Sequence, residues 1–424
     1  MFKRLRNIRI NFRGDKVIWM VFILFLVISA IEVYSSLGKV VFDTNTSPNS
    51  MFAKHLRLLG LGTITFYIVQ RIDFARYARF TYPLIIFSIA LLVITLLIGT
   101  IGGKSAARWI AIPFLGQFQP SEVVKILLIL HVARLMAVNR NNIESREVFK
   151  KVMIPIAAIC LLILPENFST AAILFLICYL LMYVGGLNRQ YLRVLPLGLI
   201  AALFILFLIN LASPSLIERS LTWSNRISSW YYNDLDAITQ PNLARMAIST
   251  GGLSGKFLGN TEHARFLSES HNDFIFAIIV EEGGVFLAIS IIALYMILLY
   301  RGIVIAKKSV KKGIDNSTLV LNSSIKNKEK YANKIMAKSL FGSYISAGLT
   351  LMIVVQALIN MFVATGITPV TGQTLPFISY GGTSFLFSCI ALGVVQNISE
   401  YTTKDLDISG FQFETMESDN NEIE

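Results

Sequence analysis

Apolar runs of about 20 residues recur along this 424-residue chain, and they limit what it can fold into. A run of that length is what an α-helix needs to cross a bilayer. Hydrophobic residues make up 54% of the sequence, charged residues 15%, and the mean hydropathy is +0.62. A water-soluble domain could not carry that balance on its surface, so the excess apolar area must face lipid. We predict an all-α polytopic membrane protein.

The apolar runs, bounded by charged or turn residues, predict about ten spanning helices within a membrane domain at 17–400. A basic segment, 1–16, precedes this domain, and an acidic tail, 401–424, follows it. The polar break at 165–167 is all that separates the fifth helix from the sixth. The predicted spans are 17–38, 54–71, 80–101, 121–138, 152–165, 168–185, 194–212, 272–300, 339–365 and 381–398.

Lysine and arginine accumulate in alternate connections, which sets the orientation of the helices. The N-terminus, the connections after the second, fourth and sixth helices, and the segment 301–338 are rich in bases. Both termini are therefore expected on the cytoplasmic side. The net charge of +12 follows from this topology, and it does not indicate a nucleic-acid partner. We expect 301–338 to be a flexible basic loop and the tail from Asp405 to be solvated.

Three segments remain on the opposite side: a long loop at 213–271 and two shorter ones at 102–120 and 366–380. They hold nearly all the unusual residues of the chain. Long loops carried by a rigid helical scaffold are where function tends to concentrate, so residues that carry chemistry are expected in these segments.

The first segment contains Arg108 and Trp109, followed by Pro120, Glu122 and Lys125. Pro120 suits the first turn of a helix, so Glu122 and Lys125 are expected to share one face near the membrane surface. A carboxylate and an ammonium inside a span are costly unless they pair or face a polar cavity. Two alternatives stay open: an ion pair that locks two helices, or a site for an anionic headgroup helped by Arg108 and Trp109.

The second segment ends the long loop at 266–276, where His271 and Asp273 lie at the start of the eighth helix. The helix dipole favours an ionised Asp273 there, and a plain helix cap would explain the residue equally well. His271 has no second histidine at metal-ligand spacing, so a zinc site is not expected. Glu281 and Glu282, about two turns further on, must pair or meet water.

The third segment, 368–384, is rich in glycine, proline and hydroxyl residues and includes Ser379 and Gly381. Such a segment at membrane depth is tolerated only where it is buried in protein or lines a cavity. It could be a purely structural re-entrant turn or part of a binding site. Gln356 and Asn360, one helical turn apart on the preceding helix, could hydrogen-bond this segment or a ligand.

These three segments, in this order, resemble the SEDS family of shape, elongation, division and sporulation proteins over about residues 13–400. The resemblance rests on RWI followed by QPSE-x-x-K at 108–125, SxHxDFIFA at 270–277 before a Glu-Glu pair, and TPVTGQTLPFISYGGTS at 368–384. The N-terminal RGDKVIW and the form of the third motif favour the division-type branch. One departure is Asn167, which stands where the family commonly has an aspartate.

The resemblance implies a peptidoglycan glycosyltransferase of the bacterial inner membrane that polymerises lipid II at the outer face. It also implies a class B penicillin-binding transpeptidase and other divisome membrane proteins as partners. The essential aspartate of the family corresponds to Asp273. Residues matching other family positions, or lying beside them, are candidates for binding substrate: Arg108, Trp109, Glu122, Lys125, His271, Ser379 and Gly381.

Lipid II carries its sugar as an α-linked pyrophosphate and the polymer is β-linked, so one direct inverting displacement is expected. Such a step needs one base for the attacking hydroxyl and positive charge for the departing diphosphate. We assign the role of base to Asp273. Stabilisation of the departing diphosphate is assigned to the positive charges of Arg108, Lys125 and Lys256, with Mg²⁺ or Mn²⁺ as a candidate cofactor. A lipid II flippase and a non-catalytic divisome scaffold are the alternative functions.

Overall fold

The computed structural model describes ten helices of eight or more residues bounded at both ends. The described residues are 13–36, 48–101, 110–112, 116–165, 167–196, 198, 226, 228, 230–231, 239–264, 266–267, 270–323, 326–380 and 382–404. The bounded helices are α1 (Lys16–Ser36), α2 (Pro48–Val69), α3 (Phe74–Ile101), α4 (Pro120–Val138), α5 (Arg146–Ile163), α6 (Phe168–Val184), α7 (Gln240–Gly251), α8 (Ile275–Leu321), α9 (Lys328–Ala364) and α10 (Gly382–Thr403). Two short strands, β1 (Ile110–Ile112) and β2 (Gly116–Phe118), form an antiparallel hairpin before α4.

Five of the described helices are long and apolar enough to cross a membrane: α1, α3, α8, α9 and α10. Side-chain caps set where several helices begin. Asp15 accepts hydrogen bonds from the backbone N–H groups of Val17 (2.8 Å) and Ile18 (3.2 Å) at the start of α1. Asn167 accepts from Thr170 N (3.2 Å) and caps α6, so the residue that departs from the family pattern has a structural role here.

The segment 301–338 corrects one prediction. It was expected to be a flexible loop, but α8 continues through it to Leu321 and α9 begins again at Lys328. Small or apolar residues recur at helical spacing on α8 and pack against α9, among them Gly302, Ser309 and Gly313. A Cβ atom at Gly313 would lie 2.5 Å from Ser339 Cβ, so the two helices approach closely. This buried stripe was not predicted, because the exposed lysines of the segment outnumber the small residues that face α9.

α8 is broken at Gly284, whose φ of 67° and ψ of −171° are not helical. The segment 252–257 packs against the break and supplies the hydrogen bonds that the helix loses there. Lys256 N and Phe257 N donate to the carbonyls of Glu281 and Glu282, both at 2.9 Å. On the other side of the break, Val285 N donates to Gly252 O at 3.1 Å. The long predicted loop is therefore structured here, and it also contains α7.

The predicted seventh span, 194–212, and most of the loop that follows it lie outside the described residues, as do 1–12 and 405–424. The other nine predicted spans each overlap a described helix. The observed helices start or end several residues away from the predicted bounds at many places, because caps and side-chain packing rather than hydropathy set those ends.

Candidate active site

The loop between α9 and α10, residues 365–381, is the centre of the site and is largely non-helical. Gln356 Nε2 donates to Thr374 O at 3.2 Å, and Asn360 Nδ2 donates to Gln373 O at 2.7 Å. The prediction that Gln356 and Asn360 hydrogen-bond this loop is confirmed. These contacts satisfy backbone carbonyls that would otherwise be buried without partners, which allows irregular backbone at membrane depth.

Glu122 and Lys125 lie on one face of α4, as predicted, and both are buried. Lys125 Nζ is 2.8 Å from Glu122 Oε1 and donates to Gln356 Oε1 at 2.9 Å. Ser384 Oγ donates to Glu122 Oε2 at 3.3 Å. Because the pair is within one helix, it is Gln356 on α9 and Ser384 on α10 that link it to the rest of the bundle.

The turn at 271–274, which carries Asp273, is fixed to the same loop. Ser379 Oγ donates to Asn272 O at 2.7 Å and accepts from Leu375 N at 2.8 Å. Tyr380 N donates to His271 O at 2.8 Å, and the rings of these two residues lie edge to face with centroids 5.5 Å apart. The hydroxyl of Ser379 and the main chain of His271 thus position the turn that precedes α8.

Asn360 connects Asp273 to the Lys125 group. Asn360 Nδ2 donates to Asp273 O at 2.8 Å as well as to the loop, while Gln356, one turn earlier on α9, accepts from Lys125. One helical turn is about 5.4 Å, so α9 holds the main chain of Asp273 and the ammonium of Lys125 at neighbouring levels on one face. α9 ends at Ala364. Asn360 and Gln356 therefore lie about 6 and 12 Å along the helix axis from that end.

Four helices begin around this loop: α4 at Pro120, α6 at Phe168, α8 at Ile275 and α10 at Gly382. The first turns of α6 and α10 are joined to the loop by side-chain contacts, and α4 is joined to α10 through Glu122 and Ser384. Gln373 Nε2 donates to Thr170 Oγ1 on α6 at 2.8 Å, and the hydroxyls of Thr374 and Ser384 are 3.3 Å apart. Helix N-termini carry partial positive charge, so this convergence favours an anionic group.

Lys256 is held in a second polar group beside the break in α8. Its ammonium is 3.1 Å from Glu262 Oε2 and 3.3 Å from Glu281 Oε1. Although desolvation lowers the pKa of Lys256, the hydrogen bonds to Glu262 and Glu281 raise it above its ordinary value overall. The described contacts join Lys256 to these two glutamates and not to Lys125 or Asp273.

The structure thus brings Glu122, Lys125, His271, Asp273 and Ser379 around one loop and places Lys256 in a separate group. Arg108, Trp109 and Gly381 lie outside the described residues. Thr170, Gln373 and Ser384 belong to the site but were not singled out from the sequence. Gln373 and Ser384 belong to the third motif, and that membership was the available signal for them. For Thr170, the only signal was its position in the first turn after Asn167.

A family model described as cell cycle protein, which covers FtsW, RodA and SpoVE, matches residues 15–323 and 324–404. The chain belongs to this family. Stage V sporulation protein E of Bacillus subtilis is 30% identical over 398 residues, which cover 92% of this chain and 97% of that protein. A Coxiella burnetii protein named probable peptidoglycan glycosyltransferase FtsW is 30% identical over 365 residues, covering 84% of this chain and 88% of the relative. The resemblance carried by the sequence motifs is confirmed.

Solved structures of the family confirm the all-α polytopic membrane fold. The rod shape determining protein RodA of Thermus thermophilus has a TM-score of 0.61 at 20% identity, and the match covers 92% of this chain and 98% of RodA. A structure described as the structural coordination of polymerization and crosslinking by a peptidoglycan synthase complex has a TM-score of 0.64 at 22% identity, covering 92% and 99%.

Proposed function

We propose that this protein is a peptidoglycan glycosyltransferase that polymerises lipid II at the outer face of the cytoplasmic membrane during cell division. The observation that carries the proposal is the arrangement on α9, where Asn360 and Gln356 hold the main chain of Asp273 and the ammonium of Lys125 about one helical turn apart. Sugar transfer from a diphosphate needs a base and a cation close together, and this arrangement supplies both from different helices. Relatives named probable peptidoglycan glycosyltransferase FtsW support the assignment.

In the proposed reaction, the Asp273 carboxylate takes the proton from the 4-hydroxyl of one sugar as its oxygen attacks the anomeric carbon of the other. The bond to the diphosphate breaks, and undecaprenyl pyrophosphate leaves with the electron pair. A single displacement converts the α linkage of the substrate into the β linkage of the polymer. Unlike a glycosidase, the enzyme needs no second carboxylic acid, because pyrophosphate is already a good leaving group.

The departing diphosphate is assigned to Lys125 and the surrounding helix N-termini. The ammonium of Lys125 has three hydrogens and contacts two oxygens, those of Glu122 and Gln356, so one donor remains for the substrate. A position about 6 to 12 Å along α9 from its end suits a headgroup whose polyprenyl chain stays in the bilayer. Arg108, which precedes β1 by two residues in the sequence, is a further candidate for binding the diphosphate.

A divalent cation, Mg²⁺ or Mn²⁺, remains a candidate at the same place. Among the described residues no group of three His, Cys, Asp or Glu side chains could cage such an ion. Mg²⁺ is commonly held by one or two carboxylates together with phosphate oxygens, so Asp273 would be its protein ligand. The ion would supply charge neutralisation for the diphosphate.

The division role, the partner and the orientation belong to the same proposal. Several curated relatives carry the name FtsW, which supports a role in division. The related peptidoglycan synthase complex couples polymerization to crosslinking, which supports a class B penicillin-binding transpeptidase as partner here. Other divisome membrane proteins would assemble with this pair, and both termini would lie in the cytoplasm of a bacterial cell.

The direct test is to incubate the purified protein, with its transpeptidase partner, with labelled lipid II. Asp273→Asn should lower strand formation by about 10²- to 10⁴-fold, because an amide cannot accept the proton. Asp315→Asn is the matched control, since Asp315 is exposed on α8 far along the chain from the site, and it should leave the rate unchanged. Full activity of Asp273→Asn would remove Asp273 from the mechanism. Translocation of lipid II without strands would support a flippase, and neither activity would support a scaffold.

A further inference from the structure

Two consecutive glutamates at the break in α8 have very different surroundings. The carboxylate of Glu281 receives hydrogen bonds from Thr261 Oγ1 (2.7 Å) and Glu262 N (3.1 Å) and contacts Lys256 and His263 Nδ1. Both of its oxygens are satisfied. Glu282 is equally buried, at 1% exposure, but only its Oε1 atom has partners, the hydroxyl of Ser35 and the backbone N–H of Gly259. Its Oε2 atom is buried without a hydrogen bond.

A second carboxylate with the same deficit lies on α1. Glu32 is 2% exposed, and its Oε2 atom is buried without a hydrogen bond. Glu32 and Ser35 are three residues apart on α1 and therefore share a helix face, and Ser35 is the residue that contacts Glu282. The contact of Ser35 therefore places this face of α1, with Glu32 on it, against Glu282. In each of these two buried carboxylates, the Oε2 atom therefore lacks a hydrogen-bond partner.

Among the described residues, no lysine, arginine or histidine side chain pairs with either of these two carboxylates. Two buried negative charges without a positive partner destabilise the fold, because each has lost its hydration and no cation replaces it. A charged side chain near the end of a membrane span is unfavourable for the same reason, because it is removed from water. The two groups therefore need either a bound cation or protons.

We propose that Glu32 and Glu282 together bind one divalent cation at the end of α1, separate from the Asp273 site. No third acidic, histidine or cysteine side chain within the described part of the chain joins them, so hydroxyl groups, carbonyls and water would complete the coordination. Such an all-oxygen set suits Ca²⁺, Mg²⁺ or Mn²⁺ and not Zn²⁺, which prefers nitrogen and sulfur ligands.

A cation at this place would tie three parts of the molecule together. Glu32 belongs to α1, Glu282 lies just before the break in α8, and Gly259 N binds Glu282 from the segment that packs against the break. The ion would hold that segment and the first helix at fixed positions. Its role is therefore to stabilise the outer part of the bundle, and it does not depend on the proposed glycosyltransferase activity.

The test uses the purified full-length protein in detergent, with Mn²⁺ binding followed by electron paramagnetic resonance and thermal unfolding followed in parallel. The wild type is expected to bind Mn²⁺ at this site and to unfold at a higher temperature with the ion than with EDTA. Glu32→Gln/Glu282→Gln should weaken this binding by more than about tenfold. The double variant should still fold, because it removes two buried charges. Glu262→Gln, at an exposed carboxylate, should bind like the wild type.

Two results would overturn the proposal. One is Mn²⁺ binding that is the same in the double variant as in the wild type. The other is a stability that ignores Ca²⁺, Mg²⁺ and Mn²⁺ but changes with pH and loses that dependence in the double variant, which would show a shared proton in place of the ion. Asp273→Asn should retain Mn²⁺ binding at this site, so failure of the cation site and failure of the catalytic assignment are distinguishable.

Discussion

Lys125 is 1% exposed, and its ammonium contacts Glu122 on its own helix and Gln356 on α9. Burying such a pair is costly, and replacing it with apolar residues is often neutral or stabilising for a fold. An ion pair that served only to hold helices together would therefore stabilise the fold no better than apolar residues in the same place. Its position one turn from the level of Asp273 provides a reason to keep it, because the reaction needs positive charge at that point.

Lys125→Met should destabilise the protein by about 3 to 5 kcal/mol, because it leaves Glu122 buried without a cation. The double variant Glu122→Gln/Lys125→Met should recover most of that stability, since neither charge remains. Thermal unfolding of the purified variants measures both effects. Strand formation from lipid II should fall by about 100-fold or more in both variants. A double variant that is stable and fully active would assign the pair to structure alone.

At the scale of elements, the break in α8 depends on glycine and on the segment that packs against it. Gly284 has φ of 67°, and a Cβ atom there would lie 2.3 Å from Leu253 O. Gly255 has φ of 77°, and its Cβ would lie 2.0 Å from Glu282 O. A side chain at either position would force the two backbones apart, and the hydrogen bonds from 252–257 to α8 would be lost.

Gly284→Ala should lower the free energy of unfolding by about 3 kcal/mol or more, because it combines backbone strain with a backbone clash. Gly60→Ala is the control, since Gly60 lies on an exposed face of α2 with nothing within 4 Å of a Cβ atom. It should stabilise the protein by about 0.5 to 1 kcal/mol through higher helix propensity. Equal unfolding temperatures for the two variants would show that the break tolerates a side chain.

At the scale of the whole molecule, one group of contacts between charged residues lies at the end of the bundle where α1 begins. Arg301 binds the carboxylate of Asp15 at the start of α1, and Gln396 on α10 exchanges two hydrogen bonds with the main chain of Asp15, each 2.8 Å long. Lys338 Nζ is 3.1 Å from Asp73 at the start of α3. Except for Gln396, which lies in the tenth predicted span, these residues belong to the segments that the sequence assigned to the cytoplasm. The candidate active site lies toward the opposite ends of α1 and α9.

Cysteine labelling in intact cells tests this orientation. A cysteine at Asn260, in the exposed part of the segment beside α8, should react with a membrane-impermeant maleimide in whole cells. A cysteine at the exposed Thr318 should react only after the cells are permeabilised. Of the native cysteines, Cys178 and Cys389 are buried, and the partly buried Cys160 is replaced by serine to keep the background low. The reverse labelling pattern would place the candidate site on the cytoplasmic side and contradict polymerisation at the outer face.

Run length and charge distribution were sufficient for the all-α membrane fold, because a helix that crosses lipid satisfies its own backbone and its hydropathy is a local property. The motifs also located Asp273, Glu122 and Lys125, since each stands at a recognisable helix start. The helical hairpin formed by α8 and α9 was missed, because exposed lysines there outnumber the small residues that face the partner helix.

Other features depended on residues that are distant in the sequence. Ser379 forms hydrogen bonds with Leu375 and Asn272, Asn360 joins Asp273 to the loop, and Ser35 on α1 contacts Glu282 on α8. A hydrogen bond requires two particular atoms within about 3 Å, and a local pattern carries no information about which distant group will stand there. Packing of α1, α8, α9 and α10 against one another brought these partners together.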